Sequence, residues 1–469
     1  VSTTTLEPGP TGPTRARRRV HPALAIVAAA LPVFMATLDN LVVTGALPVL
    51  HRDLGASLDQ LQWVVNAFSL TFATLMLAAA SVGDRFGRRR VFVGGVVVFT
   101  LASAAAALAT SPELLIAARA VQGAGAAAIT PLSLALLAGS VPPQRRAAAI
   151  GIWGGVNGLG VALGPVIGGA VIDGLSWHWI FWLNVPVAVV ALPLILLALP
   201  EQHGRTGRVD VAGLGLGGAA VFGVVWAVQH ADAHGWGSAA VLVPLLAGLA
   251  LLAGFVARQA TAAAPLLPLR LFRSRSFSVA NVVIFAFTLG AMGSVFLLTQ
   301  YLQVSGGFTP FEAGLRTLPW TAAPMVVAPV AGILGGRTGS RPLLVAGLTA
   351  TAAGLAWMAV EIGQGAGYGA LVPALTLAGV GTGLVFAPAS TAVLAGLDEH
   401  DHATASSTNN TLREIGVALG VSVLTLVFQH AGGDLTPDGF SAGTPDAVLV
   451  GAAVTLVGAL TALALPRKA

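Results

Sequence analysis

The chain has 469 residues, 55% of them hydrophobic and 9% charged, and a mean hydropathy of +0.84. Soluble domains carry about 25% charged residues, so a water-soluble fold is excluded and an all-α protein threaded repeatedly through a bilayer is expected. The formal charge is +5 and there is no cysteine; disulfides and thiolate metal sites are therefore excluded, and the arginines, scattered between apolar runs, give nucleic acid no continuous basic face.

Residues 1–22 are rich in Thr, Pro and Gly and contain Arg15, Arg17, Arg18 and Arg19, which predicts a disordered, basic, cytoplasmic tail. Fourteen apolar runs follow, near 23–49, 58–81, 91–110, 113–138, 147–172, 178–199, 209–229, 239–257, 278–302, 313–335, 342–361, 369–395, 406–429 and 446–465. No small-residue cleavage site follows the first run, so it reads as a retained helix. Six runs would form an N-terminal bundle over 23–200, two an insert over 201–276 with polar linkers, and six a C-terminal bundle over 277–466. With this count, 20 of the 24 basic residues fall on one side, Arg52 on the other, and Arg119, Arg316 and Arg413 within runs. One helix more or fewer would invert every later loop, so the positive-inside rule places both termini in the cytoplasm. The stretch Ala80-SVGDRFGRRR returns in degenerate form at Gly332-ILGGRTGSR, with Arg85, Gly87 and Arg89 answered by Arg337, Gly339 and Arg341. The offset is 252 residues (332 − 80), as a six-helix unit plus a two-helix insert would give, and such repeats are the usual build of secondary transporters.

In the first run, Asp39 stands well inside hydrocarbon, and in the fourth so does Arg119. A charge there costs about 2.5–3.5 kcal/mol even on the mild insertion scale, so each needs a partner or a wet cavity. Their similar depth suggests a direct pair or a shared wet site. Gln62, Asn66 and Ser69 make a polar stripe on the second run. With Gln122 and Asn157, Gln62 and Asn66 are the candidates for a cavity lining, although interhelical hydrogen bonds would suit the stripe as well. Between the second and third runs, Asp84, Arg85, Gly87 and Arg88 lie in a short loop. The fifth run, GIWGGVNGLGVALGPVIGG, places Gly160, Gly164 and Gly168 on one helical face, where a neighbour can approach closely, and Pro165 leaves a carbonyl without its usual donor. Near the thirteenth run, Glu414 beside Arg413 is a second protonation candidate or an interfacial ion pair. No GxxxxGK[ST] sequence occurs, so ATP is not expected as energy source; the histidines lack metal-ligand spacing, and neither metal nor cofactor is expected.

Several of these stretches resemble the major facilitator superfamily, in particular its fourteen-helix drug:proton antiporters. The loop motif is matched at Asp84, Arg85, Gly87, Arg88 and Arg89, with Ala80 in place of its first glycine. The fourth-helix motif is matched from Leu115 through Arg119 and Gln122 to Ala127. The fifth-helix antiporter motif is matched at Gly151, Gly160, Gly164, Pro165, Gly168 and Gly169, and the sixth-helix entry at Asn184 and Pro186. Thr37-LDNLVVTGALP is similar to the first-helix motif, departing at Leu41 and Thr44-Gly45. The resemblance implies two pseudo-symmetric six-helix bundles that rock about a central cavity. It implies export of amphipathic, often cationic drugs or antibiotics by a monomer in the bacterial cytoplasmic membrane, in exchange for protons. Asp39 and Arg119 would couple the protons, and Asp84, Arg85 and Arg88 would latch the two halves at the cytoplasmic side. A proton-linked importer or facilitator of a small metabolite, or a non-transporting membrane receptor, would share the composition without being an enzyme.

Overall fold

The computed structural model describes residues 22–204, 210–262, 265–398 and 401–466. The expected tail, apart from Pro22, lies outside the described residues. The first half contains α1 (Pro22–Leu54), α2 (Leu58–Phe86), α3 (Arg88–Ala107), α4 (Pro112–Ser140), α5 (Pro143–Gly174), the short α6 (His178–Trp182) and α7 (Asn184–Ala198). An inserted hairpin follows, α8 (Val211–His234) and α9 (Ala239–Thr261). After a 3-10 turn at Leu269–Arg273 come α10 (Arg275–Val304), α11 (Pro310–Thr321), α12 (Ala323–Thr338), α13 (Ser340–Gly363), α14 (Tyr368–Leu394), α15 (His402–His430) and α16 (Pro437–Ala462). Among the described residues, thirteen spans are long and apolar enough to cross a bilayer, with α6–α7 and α11–α12 each counted as one span. Helix α2, bent by 50° between Met76 and Ala78, makes the fourteenth.

Local chemistry explains the boundaries. Ser57 starts α2 with a reciprocal capping box, its hydroxyl accepting from Gln60 N and its own N–H donating to Gln60 Oε1 at 2.9 Å. The last span starts at Pro437, nine residues before the apolar run at 446 (446 − 437), because Thr436 caps it and Pro437 suits a first turn. Hydropathy alone misses that polar first turn. The two loops related by the sequence repeat turn the same way: Gly87 (φ 107°) separates α2 from α3, and Gly339 (φ 79°) separates α12 from α13. Both φ values lie where L side chains are strained, which is why glycine recurs at both.

Helix α5 packs on α1 through its glycine face. A Cβ at Gly164 would stand 2.8 Å from Leu41 Cβ, and one at Gly168 would stand 2.6 Å from Val42 Cγ1. The face expected to admit a close neighbour, Gly160, Gly164 and Gly168, is the one that meets α1, whereas a Cβ at Gly151 would meet nothing within 4 Å. At the end away from the arginine-rich loops, the two halves touch closely. Gly169 abuts the backbone of Pro310 and Phe311, Gly314 abuts the Pro165 carbonyl, Phe311 N donates to Asp173 Oδ2 at 3.0 Å, and Gln303 Nε2 donates to Gly45 O at 2.8 Å. Toward the arginine-rich end α5 and α12 draw apart: Gly154, Gly155 and Gly158 also have open space beside them, and Val326 and Val330 of α12 are exposed.

The opposite seam, between α2 and α15, is covered by the insert. Trp63 of α2 packs its ring on Phe222 and Trp226 of α8 at 5.5 and 5.7 Å, and Ala418 and Leu419 of α15 join the same cluster. Asp210 caps α8 through Gly213 N and also pairs with Arg258 and Gln259 of α9, each contact at 3.0 Å, which fastens the hairpin at its base.

Candidate functional site: a buried ion pair behind a two-sided cavity

Helices α1 and α4 bring Asp39 and Arg119 into direct contact. Arg119 Nη1 donates to Asp39 Oδ2, and the side chains are 1% and 0% exposed, so of the two arrangements open to the sequence the structure has the dry pair. Asp39 Oδ1 accepts from Gln122 Nε2 at 3.1 Å and from Asn184 Nδ2 at 2.7 Å. Both amides also donate to Ser103 Oγ, at 2.7 and 3.2 Å. Arg119 donates further to Gln122 Oε1 at 2.9 Å and, through Nε, to the Val64 carbonyl at 3.2 Å. Four helices and α7 therefore meet on one carboxylate–guanidinium pair. Asn184 and Ser103 were not legible as its partners, because each is a single small polar residue in an apolar run with nothing to say which way it faces.

The α2–α4 approach that permits this depends on Gly123. Its Cα faces the Phe68 carbonyl, which a Cβ would overlap. Gly123→Ala is expected to cost about 1–3 kcal/mol by overpacking, read as a lower Tm of the detergent-solubilised protein.

A cavity of about 1320 Å³, its open mouth included, lies between the halves. Its wall carries Phe68, Phe72, Phe296, Trp320 and Phe386 among aliphatic residues, with Thr37, Asn40, Thr130, Asn157 and Thr382 as polar points. Arg413 and Glu414 are its charged residues, paired at 3.0 Å, and Glu414 is 7% exposed, its Oε2 lacking a hydrogen-bond partner among the described residues. Glu414 is thus on the cavity wall and not at an interface. Of the four residues expected to line a cavity, Asn157 does so and accepts from Thr37 Oγ1 at 2.5 Å. Gln62, Asn66 and Gln122 do not. Gln62 accepts from Gln229 of the insert at 3.3 Å, Asn66 donates to Ser422 of α15 at 2.9 Å, and Gln122 is spent on the ion pair. A shallower apolar dent at Trp179, Trp182, Leu183, Val185 and Pro186 offers no polar lining.

The arginine-rich loop is held by its own half. Asp84 pairs with Arg88 at 2.6 Å, and Arg85 lies over the Phe86 ring. The segment after α7 supplies the missing cap of α3: Arg88 N donates to Gln202 O at 2.8 Å and Arg89 N to Glu201 Oε1 at 2.9 Å. Gly204 N donates to Asp84 O at 3.1 Å. Among the described residues, the contacts found for Asp84, Arg85, Gly87 and Arg88 stay within the first half and its linker, so this conformation does not bear on the expected latch across the halves. Glu201→Ala is expected to destabilise by about 1 kcal/mol, the usual worth of a helix N-cap, and to speed proteolysis of the loop.

A fourteen-span helical bundle of two halves, closed at one end over a central cavity, with a buried ion pair beside it, is the build of a membrane transporter. The chain belongs to the Major Facilitator Superfamily, whose family model matches residues 29–421. It is 35% identical over 422 residues to the tetracenomycin C resistance and export protein of Streptomyces glaucescens, covering 90% of this chain and 78% of that one. It is 38% identical over 410 residues to the cephamycin export protein of Amycolatopsis lactamdurans (86% and 84%), and 36% identical over 403 residues to the multidrug resistance protein Stp of Mycobacterium tuberculosis (86% and 75%). Among solved structures, a POT family transporter in complex with 5-aminolevulinic acid matches with a TM-score of 0.69 at 15% identity, over 94% of this chain and 95% of that one. A bacterial homologue of the lysosomal transporter Spinster, inward-facing and unoccupied, matches at 0.67 and 14% identity over 95% and 97%. At such identities these two speak for the fold alone.

Proposed function

We propose that this protein exports amphipathic drugs or antibiotics across the bacterial cytoplasmic membrane in exchange for protons, as a monomer with both termini and the arginine-rich end inside. The observation that carries the reading is the Asp39–Arg119 pair, buried at no more than 1% exposure beside a cavity between halves that touch closely at the end away from the arginine-rich loops. Structural ion pairs rarely stand in hydrocarbon without a functional reason. The export and resistance proteins to which the chain is similar support the direction and the class of cargo.

In this reading the aromatic and aliphatic wall takes the apolar body of a substrate, and the free oxygen of Glu414 takes its cationic group. Protonating Asp39 cancels its charge and leaves Arg119 unpaired in a dry site, an arrangement that costs several kcal/mol until the helices around it move. The proton thereby biases one packing of the halves over the other. Opening to the opposite side returns Asp39 to water, and a second packing follows. Asp84, Arg85 and Arg88 would engage the other half once the arginine-rich end closes.

A panel of dyes and antibiotics, assayed with and without an imposed pH gradient, tests the reading. Uphill extrusion that requires the gradient is expected; gradient-driven accumulation of a small metabolite would establish an importer, and no transport of any kind a receptor. Glu414→Gln is expected to weaken export of monovalent cations by roughly tenfold, the loss of one charge-assisted contact, with little change for neutral compounds of the same size. Equal loss for both would remove Glu414 from substrate recognition.

A further inference from the structure

The buried pair and the cavity share one partition. Phe68 of α2 has one ring face against Arg119, whose Cζ lies 4.4 Å from the ring centroid, while the same side chain belongs to the cavity wall. Phe68 is 2% exposed and is braced by Phe72, another wall residue, at 5.8 Å between centroids. One turn earlier on the same helix, the Val64 carbonyl accepts from Arg119 Nε, so α2 grips the guanidinium twice. Arg119 Nη2 has no hydrogen-bond partner among the described residues. A guanidinium nitrogen left without an acceptor is costly to bury, so the pair is sensitive to what stands between it and the cavity. The groups that meet Asp39 and Arg119 are Gln122 from α4, Asn184 from α7, Ser103 from α3 and the Val64 carbonyl, none of them titratable, and the Phe68 ring completes the enclosure on the cavity side.

We propose that Phe68 is a positioning residue of the coupling site: an insulating lid that holds Arg119 on Asp39 and keeps cavity water, and hence protons, off the pair until the ring turns aside. The inference rests on the coupling role given to Asp39 above, but its tests use no drug. The lid would make proton access conditional on a side-chain movement inside the cavity. An apolar occupant packed on the wall holds the ring down; an empty cavity frees it. Substrate and proton would then compete without sharing a binding group.

The chain contains no cysteine, so Ser103→Cys gives one thiol beside the pair and Thr130→Cys one thiol on the cavity wall. With Phe68 in place, 2-aminoethyl methanethiosulfonate is expected to modify the cysteine at 130 fast and the one at 103 slowly. Adding Phe68→Ala is expected to speed the reaction at 103 by roughly tenfold or more, the effect of lowering a local opening cost by at least 1.4 kcal/mol. Phe68→Leu, which keeps apolar volume and guards against a folding failure of the alanine variant, is expected to speed it less. Equal rates at 103 and 130 in the parent would mean that the pair is already wet and would overturn the lid. So would a slow reaction at 103 that neither substitution accelerates. In proteoliposomes without drug, Phe68→Ala is expected to dissipate a pH gradient faster than the parent, and Asp39→Asn added to it to remove the excess. An excess that survives Asp39→Asn would place the leak elsewhere and overturn the proposal. A failed export panel leaves both outcomes readable, and a failed lid leaves export to be judged on Asp39→Asn alone.

Discussion

Asp39→Asn is expected to abolish proton-driven export and to lower stability by about 3–5 kcal/mol, the cost of removing one partner from a buried ion pair. The neutral amide can still accept one hydrogen bond from Arg119, but the guanidinium charge remains at 0% exposure with no counter-charge among its contacts. Asn184 and Gln122, which donate to Asp39 Oδ1, would then face an amide nitrogen or a weaker acceptor. Adding Arg119→Gln should recover part of the stability and none of the transport, because the unpaired charge is gone while the protonatable group is still missing. Thermal unfolding of the purified variants and drug efflux in inverted vesicles separate the two readouts. Uphill extrusion by Asp39→Asn at parental rates would remove the residue from the coupling mechanism.

The second large effect is expected at the closed end. Gly314 faces the Pro165 carbonyl and Gly169 faces Pro310, so a side chain at either overlaps backbone on the facing helix, which cannot move aside as a side-chain tip could. Gly314→Val should therefore penalise the closed end by about 1–3 kcal/mol. Because the contact exists only while that end is closed, the penalty falls on one state and shifts the population toward the other by roughly ten- to a hundredfold. Spin labels on cysteines placed at Gly151 and Val330, which flank the parted seam in a chain free of native cysteine, should report a shorter distance in Gly314→Val than in the parent. An unchanged distance distribution would show that the glycine pair is packing without consequence for the equilibrium.

Gly314 was not singled out by sequence, though Gly169 was. Both make the same kind of approach, but Gly169 was marked by the resemblance to the fifth-helix motif, whereas Gly314 stands alone in a capped helix, Pro310–Thr321, whose boundaries give no hint of what it faces. The insert shows the same limit from the other side. Gln62, Asn66 and Ser69 do share one helical face, as their spacing requires. That face meets α8 and α15 and not the cavity, with Gln229 and Ser422 as its partners.

What the sequence by itself determined is everything priced residue by residue against hydrocarbon. Apolar length sets the fourteen spans. Arginine distribution sets which loops lie together at one end. The expense of a lone charge marks Asp39 and Arg119 as needing each other or water. What only the tertiary structure decided is which neighbour each face receives. That depends on helices far apart in the chain: Ser103 and Asn184 converge on Asp39, Phe68 walls the pair from the cavity, Glu414 looks inward, and the arginine-rich loop is held by Glu201 while the halves stand apart. Periodicity along one helix defines a face but carries no record of its partner, since in a bilayer an apolar face is equally at home against lipid or protein.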